Sequence, residues 1–294
     1  MNTTDQIDFS RPFMPEELTP FFFTKAYATL TEPQRTRYNQ INALYFNEQT
    51  MFFEVSLAHT VLGYFLAQPD LPGDLKAGVR QFLAEEEEHS GMFRQLNRRC
   101  APQWYAERDF HFIRVPPLGK AVLGAMSKRP HRFPFLLWLM HLHEERALFF
   151  GKAFLKYQDS LEPHFVAAQR KHLADEIGHV RWDEALLDWL WPRTGALGRR
   201  INIAIFSWMM REYFTVPKRT ALRVVATLVE EFPELRPRHP EFRRQLRALG
   251  EDMEYRRSLY CAENVPLTFR RFDVCPEFHA MTAALPGYIP GGNA

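Results

Sequence analysis

The chain is 294 residues long, 46% hydrophobic and 24% charged, enough apolar matter for one large domain or two modest ones. Lys and Arg (37) nearly balance Asp and Glu (35), and a formal charge of +2 is too even for a dedicated nucleic-acid binder. No uncharged run reaches about 18 residues, so no membrane span is expected.

Glycine is scarce (14) and neither Asn-Gly nor Asp-Gly occurs as a hairpin signal, whereas apolar residues recur at the helical spacing i, i+3, i+4, i+7. Met1–Asp5 lacks the basic and apolar regions of a secretory leader, so a cytoplasmic protein is expected. Thr31-Glu32-Pro33 predicts a helix start, with a cap and a proline in the first turn; the helix runs, one interruption allowed, to about Ala67. Gln68–Gly73, with two prolines, is a turn, and a second helix follows over about Gly73–Arg99. Pro116-Pro117 precedes a short helix, and Pro130 and Pro134 bracket the start of a long one that reaches Tyr157. Asp159–Pro163 is a turn, and the next helix ends at Leu190, before Trp191-Pro192. Helical patterns then cover about Arg199–Glu231, interrupted near Pro217, and about Pro240–Tyr260. The tail from Asn264, rich in Pro, Gly and aromatics, is expected to be irregular. No linker or low-complexity stretch divides the chain, which predicts one all-α domain over residues 1–294.

Four of the predicted helices carry acidic or imidazole side chains on otherwise apolar stripes. Glu54 shares a face with Met51, Ala58, Val61 and Phe65; Glu86 and His89 share one with Val79, Phe82 and Phe93. Glu145 lies among Trp138, Leu142 and Phe149, and His172, Glu176 and His179 lie near the face of Phe165 and Leu187. Charged side chains are seldom buried unless paired or bound to metal. Glu86-x-x-His89 and Glu176-x-x-His179 are two copies of an i, i+3 pair, and His172 stands one turn before the second copy on the same face. Folding neighbouring helices about their turns brings Glu54 level with Glu86, and Glu145 level with Glu176. One ExxH alone carries little weight, but two copies, each with a level upstream Glu, match the ligand pattern of di-iron and di-manganese carboxylate bundles. Four carboxylates and three imidazoles without thiolate suit Fe or Mn better than a structural zinc; the cysteines Cys100, Cys261 and Cys275 are widely separated and form no CxxC. His141, His143 and Glu144 compete with Glu145 on the third helix. Asp175 and Asp183 are candidates for outer carboxylates that orient His179 or His172.

These residues resemble the AurF-type di-iron N-oxygenases, the p-aminobenzoate N-oxygenase family. The resemblance rests on Asn47-Glu48 with Glu54, Glu85-Glu86-x-x-His89, Glu145, and His172-x-x-x-Glu176-x-x-His179. The third histidine is its most specific element, and the interval from Glu145 to His172, similar to the family's, favours Glu145 over Glu144. The resemblance spans about Tyr45–Trp191, the expected metal-site core. It implies a ferritin-like bundle with additional helices and two Fe ions, with Mn as the other metal, held by Glu54, Glu86, His89, Glu145, His172, Glu176 and His179. It further implies O2 as co-substrate and N-oxygenation of a small amine, in secondary metabolism, to hydroxylamine, nitroso or nitro through a peroxo-diferric species. Without a GxGxxG motif the electrons would come from an external donor such as a ferredoxin or reductase. The oligomeric state is left open, a homodimer included. Hydroxylation or desaturation of C–H bonds in an acyl or carrier-bound substrate is the alternative within the same cofactor class, and a non-catalytic metal-binding bundle is the alternative outside it.

Overall fold

The computed structural model describes residues 6–215 and 219–292; the expectations for Met1–Asp5 and for a break near Pro217 lie outside them. Of the described residues 75% are helical, 3-10 and π turns included, and none is in a strand. Short 3-10 turns lead to α1 (Glu32–Phe53), which opens as predicted on Thr31: its N–H donates to the Gln34 side chain in a capping box, and Pro33 occupies the first turn. The rod passes through one π-helical turn (Glu54–Ala58) and continues as α2 (His59–Leu66). Pro69 and Pro72 end it, and α3 (Gly73–Cys100) returns alongside. The short α4 (Pro102–Tyr105) and α5 (Pro117–Ser127) precede the second long pair, α6 (Phe135–Lys156) and α7 (Pro163–Leu190). Glu162 caps α7 by accepting from the His164 and Phe165 amides. The helices α3 and α7 approach closely where Gly78 faces the Trp182 indole, since a Cβ at residue 78 would fall inside the ring.

The rest of the chain wraps these two hairpins. It contains α8 (Ala196–Met209), a second π turn (Met210–Phe214), α9 (Arg219–Glu231), α10 (His239–Ala248), α11 (Met253–Leu259) and α12 (Pro266–Val274). The helix expected over Pro240–Tyr260 is two helices, because the chain turns at Leu249–Asp252 and Asp252 caps α11 through the Tyr255 amide. The tail expected to be irregular is helical over α12 and a 3-10 turn (Pro276–Ala283) and irregular over 284–292. Pro266 and Pro276 sit in first turns, and the tail's aromatics are core: Phe272 and Phe278 stack on each other, and both pack against Trp138 of α6. Among the described residues no helix is long and apolar enough to cross a membrane.

Two apolar cores divide the long helices lengthwise. Leu57, Phe82, Leu142 and Leu186 belong to one; Met51, Phe93, Phe150 and Ala168 belong to the other. On each long helix the acidic and imidazole residues fall between these markers, so they form a polar layer across the middle of the bundle. The order of the markers also shows that α3 and α7 run antiparallel.

Candidate metal centre

The layer is built from four helices. The π turn begins at Glu54 itself; its extra residue breaks the regular i→i−4 ladder where the carboxylate must face inward, as such bulges do at functional sites. From α3 come Glu86 and His89, from α6 Glu144, and from α7 His172, Glu176 and His179. All seven are buried, with exposures from 0% for His89, Glu176 and His179 to 6% for Glu144.

Glu176 is the hub. Its Oε1 lies 2.9 Å from His172 Nε2, 3.4 Å from His179 Nδ1 and 3.9 Å from His89 Nδ1. His179 Nδ1 is also 3.1 Å from Glu86 and 3.7 Å from Glu144, and His172 Nε2 is 3.4 Å from Glu54. Donor atoms of Glu86, His89, Glu176 and His179 lie within 4.8 Å of one another, as do those of Glu54, His89 and His172. The two ExxH histidines turn the same atom inward, and their outer nitrogens are held reciprocally. His89 Nε2 donates to Asp175 at 3.0 Å, and His179 Nε2 donates to Glu85 at 3.0 Å. Each carboxylate is the residue just before the ExxH glutamate of the opposite helix, so the antiparallel pair α3–α7 places each helix's outer acid on the other's histidine. Lys171 grips Asp175 (2.7 Å) and Gln81 grips Glu85 (2.8 Å). Phe82 stacks on His179 at 4.0 Å, and Ser90 donates to Glu54 at 2.5 Å.

The electrostatics are those of a site short of positive charge. Burial, and then the charge of Glu176, hold Glu144 well above the carboxylate range; burial and Glu86 raise Glu54. Burial opposes charging the histidines, yet the surrounding carboxylates prevail. They raise His172 to about 10 and keep His89 and His179 above their ordinary value as well. In the metal-free fold protons thus do the work of cations. Even so, Glu54 Oε1, both oxygens of Glu86 and Glu176, and Nδ1 of His89 and His179 are buried without a hydrogen-bond partner among the described residues. Convergent acceptors left orphaned in this way fit metal cations, and the oxygen and nitrogen donor set suits iron.

The structure brings together six of the seven residues expected from sequence and replaces the seventh. Glu145 points away from the layer and accepts from the Leu267 and Thr268 amides (2.8 Å for Thr268) at the start of α12; Glu144 takes its place. The Glu145–His172 interval does not separate Glu144 from Glu145 because neighbouring positions differ by about 100° around a helix: Glu144 turns to His179 of α7, and Glu145 turns to the first amides of α12. Asp175 is brought to His89, as an outer carboxylate. Asp183 is wholly buried, but both its oxygens lack hydrogen bonds, so it does not hold His179 or His172 by contact. His143 is sandwiched by Phe53 and Phe214, and His141 is buried with neither ring nitrogen partnered. Glu85 stands in the segment Glu85-Glu86-x-x-His89, but sequence reasoning missed its role as the outer carboxylate of His179; its signal is its position one before Glu86, matching Asp175 before Glu176.

A family model described as P-aminobenzoate N-oxygenase AurF matches residues 2–255, well beyond the expected Tyr45–Trp191. No curated protein matches the chain.

Proposed function

The chain belongs to the p-aminobenzoate N-oxygenase AurF family, di-iron oxidoreductases, and from that membership we propose that it transfers an oxygen atom from O2 to the nitrogen of a small amine. The observation that supports this reading most directly is the buried layer of four carboxylates and three imidazoles, with its orphaned donor atoms facing one another. Two irons held by Glu54, Glu86, His89, Glu144, His172, Glu176 and His179 would supply the redox chemistry that activates O2. Asp175 and Glu85 fix the tautomers of His89 and His179, so that Nδ1 of each ring is free for the metal. Phe82 and Phe93, packed on His179 and His172, keep water from the imidazoles. The overall change is R–NH2 + O2 + 2e− + 2H+ → R–NHOH + H2O, and further rounds give nitroso or nitro products.

The test is anaerobic Fe(II) titration, followed by mixing with 18O2 and a panel of arylamines that includes p-aminobenzoate. Two irons per chain and labelled oxygen on nitrogen are expected. Two irons with label only on carbon would transfer the reading to C–H oxidation, and folded protein that binds fewer than two irons would end it.

A further inference from the structure

One surface differs in composition from the rest of the molecule. No Asp or Glu occurs between Asp109 and Glu144 or between Asp188 and Glu212, although charged residues of both signs are plentiful elsewhere. The first stretch carries Lys120, Lys128, Arg129 and Arg132; the second carries Arg200 and Arg211, and all six are exposed. None of them pairs with a carboxylate among the described residues. The same stretches contain α5 and α8, which hold apolar side chains in solvent: Leu118 (76% exposed) and Val122 (50%) on α5, Leu197 (73%), Ile201 (51%) and Trp208 (49%) on α8.

The fold brings the end of the first stretch to the second. Asn202, midway along α8, donates to the Arg132 carbonyl at 3.1 Å and accepts from the Phe135 amide at 3.4 Å, so the basic loop after α5 lies against α8. The surface also sits close to the metal centre. α5 packs on the π turn that carries Glu54. α8 runs into the second π turn, whose Phe214 meets His143 at 4.8 Å, and His143 in turn stacks at 4.3 Å on Phe53, the neighbour of Glu54.

Exposed apolar side chains on the same elements as basic ones that lack carboxylate partners have the composition of a docking site for an acidic partner, in which charge steers encounter and apolar contact holds it. We propose that the α5–α8 face docks an acidic one-electron-carrier protein that reduces the metal centre, an inference that rests on the di-iron oxygenase reading. Each amine oxygenation consumes two electrons, delivered singly by two encounters with the reduced carrier, and the chain has no GxGxxG motif for a nicotinamide or flavin dinucleotide of its own. An anionic membrane or a second copy of this chain could use the same contacts, but neither delivers electrons to a cluster buried beneath them.

The experiment uses the full iron-loaded chain and a plant-type [2Fe–2S] ferredoxin as the acidic probe. Binding is read by fluorescence anisotropy of labelled ferredoxin, and electron transfer by stopped-flow bleaching or recovery of its visible band. The triple variant Arg129→Glu/Arg132→Glu/Arg200→Glu should bind ferredoxin at least about tenfold more weakly at low salt and lose the salt dependence of the wild type. Reduction by dithionite should be unchanged. Arg200→Glu alone, with a smaller effect of the same sign, serves if the triple variant unfolds. Ferredoxin binding that is absent in the wild type, or equal in wild type and variant, overturns the proposal. So does wild-type sedimentation with phosphatidylglycerol vesicles, or a dimer, that the substitutions abolish while ferredoxin binding stays the same. Because binding is read without any amine, failure of N-oxygenation and failure of docking are told apart.

Discussion

The neighbouring carboxylates Glu144 and Glu145 separate the metal centre from the scaffold that holds it, and replacing each by alanine should give opposite phenotypes. Glu145→Ala leaves the Leu267 and Thr268 amides unpaired at the start of α12, at about 1–3 kcal/mol for each buried group. Burial already holds the Glu145 carboxyl above its ordinary pKa, so losing the charge returns part of that cost. A net loss of about 2 kcal/mol lowers Tm by roughly 3 °C in a domain of this size. Glu144→Ala removes a buried acid whose polar contacts are all with the cluster itself, so the metal-free protein should keep its Tm to within about 1 °C. Its metal affinity should fall by at least about a hundredfold, since even outer carboxylates are worth about 10–100-fold. The assay pairs thermal unfolding of metal-free protein with Fe(II) titration and metal analysis. If Glu145→Ala lost iron at unchanged Tm while Glu144→Ala kept its full complement, then Glu145, and not Glu144, would face the metal layer.

Two further outcomes are expected. Asp175→Asn and Glu85→Gln should each weaken iron binding by about 10–100-fold without changing the number of ligands, as X-ray absorption would show; wild-type affinity in both would refute the reciprocal arrangement. His141 is wholly buried with both ring nitrogens unpartnered, and burial, then the charge of Arg271, push its pKa down to about 3. Between about pH 6.5 and 3 the unfolded chain takes up a proton that the fold refuses. The stability held above 6.5 is therefore lost as pH falls, by on the order of 3 kcal/mol at pH 4. His141→Leu should flatten the Tm profile between pH 7 and 4, and identical profiles would contradict the assignment.

Helix ends were legible at the prolines of the two long hairpins, because a fixed φ and a missing N–H act locally: the turns at Gln68–Gly73 and Asp159–Pro163 lie where expected. The ExxH pairs were legible because i, i+3 spacing places two side chains on one face whatever the helix packs against. What could not be read depends on rotation and on distant partners. Glu144 and Glu145 are hard to separate by periodicity, and their partners lie far along the chain: His179 of α7 for Glu144, and the Leu267 and Thr268 amides, more than a hundred residues later, for Glu145. Glu85 looks like one of four solvated acids until α7 lies across it. The aromatic tail reads as irregular because its prolines resemble breakers, whereas Pro266 and Pro276 begin helical turns and Phe272 and Phe278 fill the core beside Trp138.

The hydrogen bonds from α12 to Glu145 place a boundary. The family match ends at residue 255, yet α12 begins at Pro266 and supplies the amides that Glu145 accepts. A chain ended where the kinship ends would leave Glu145 without the amides it caps, one residue from Glu144, and would strip Phe272 and Phe278 from the wall of Trp138. The segment that follows the family match therefore braces the same helix, α6, that carries Glu144.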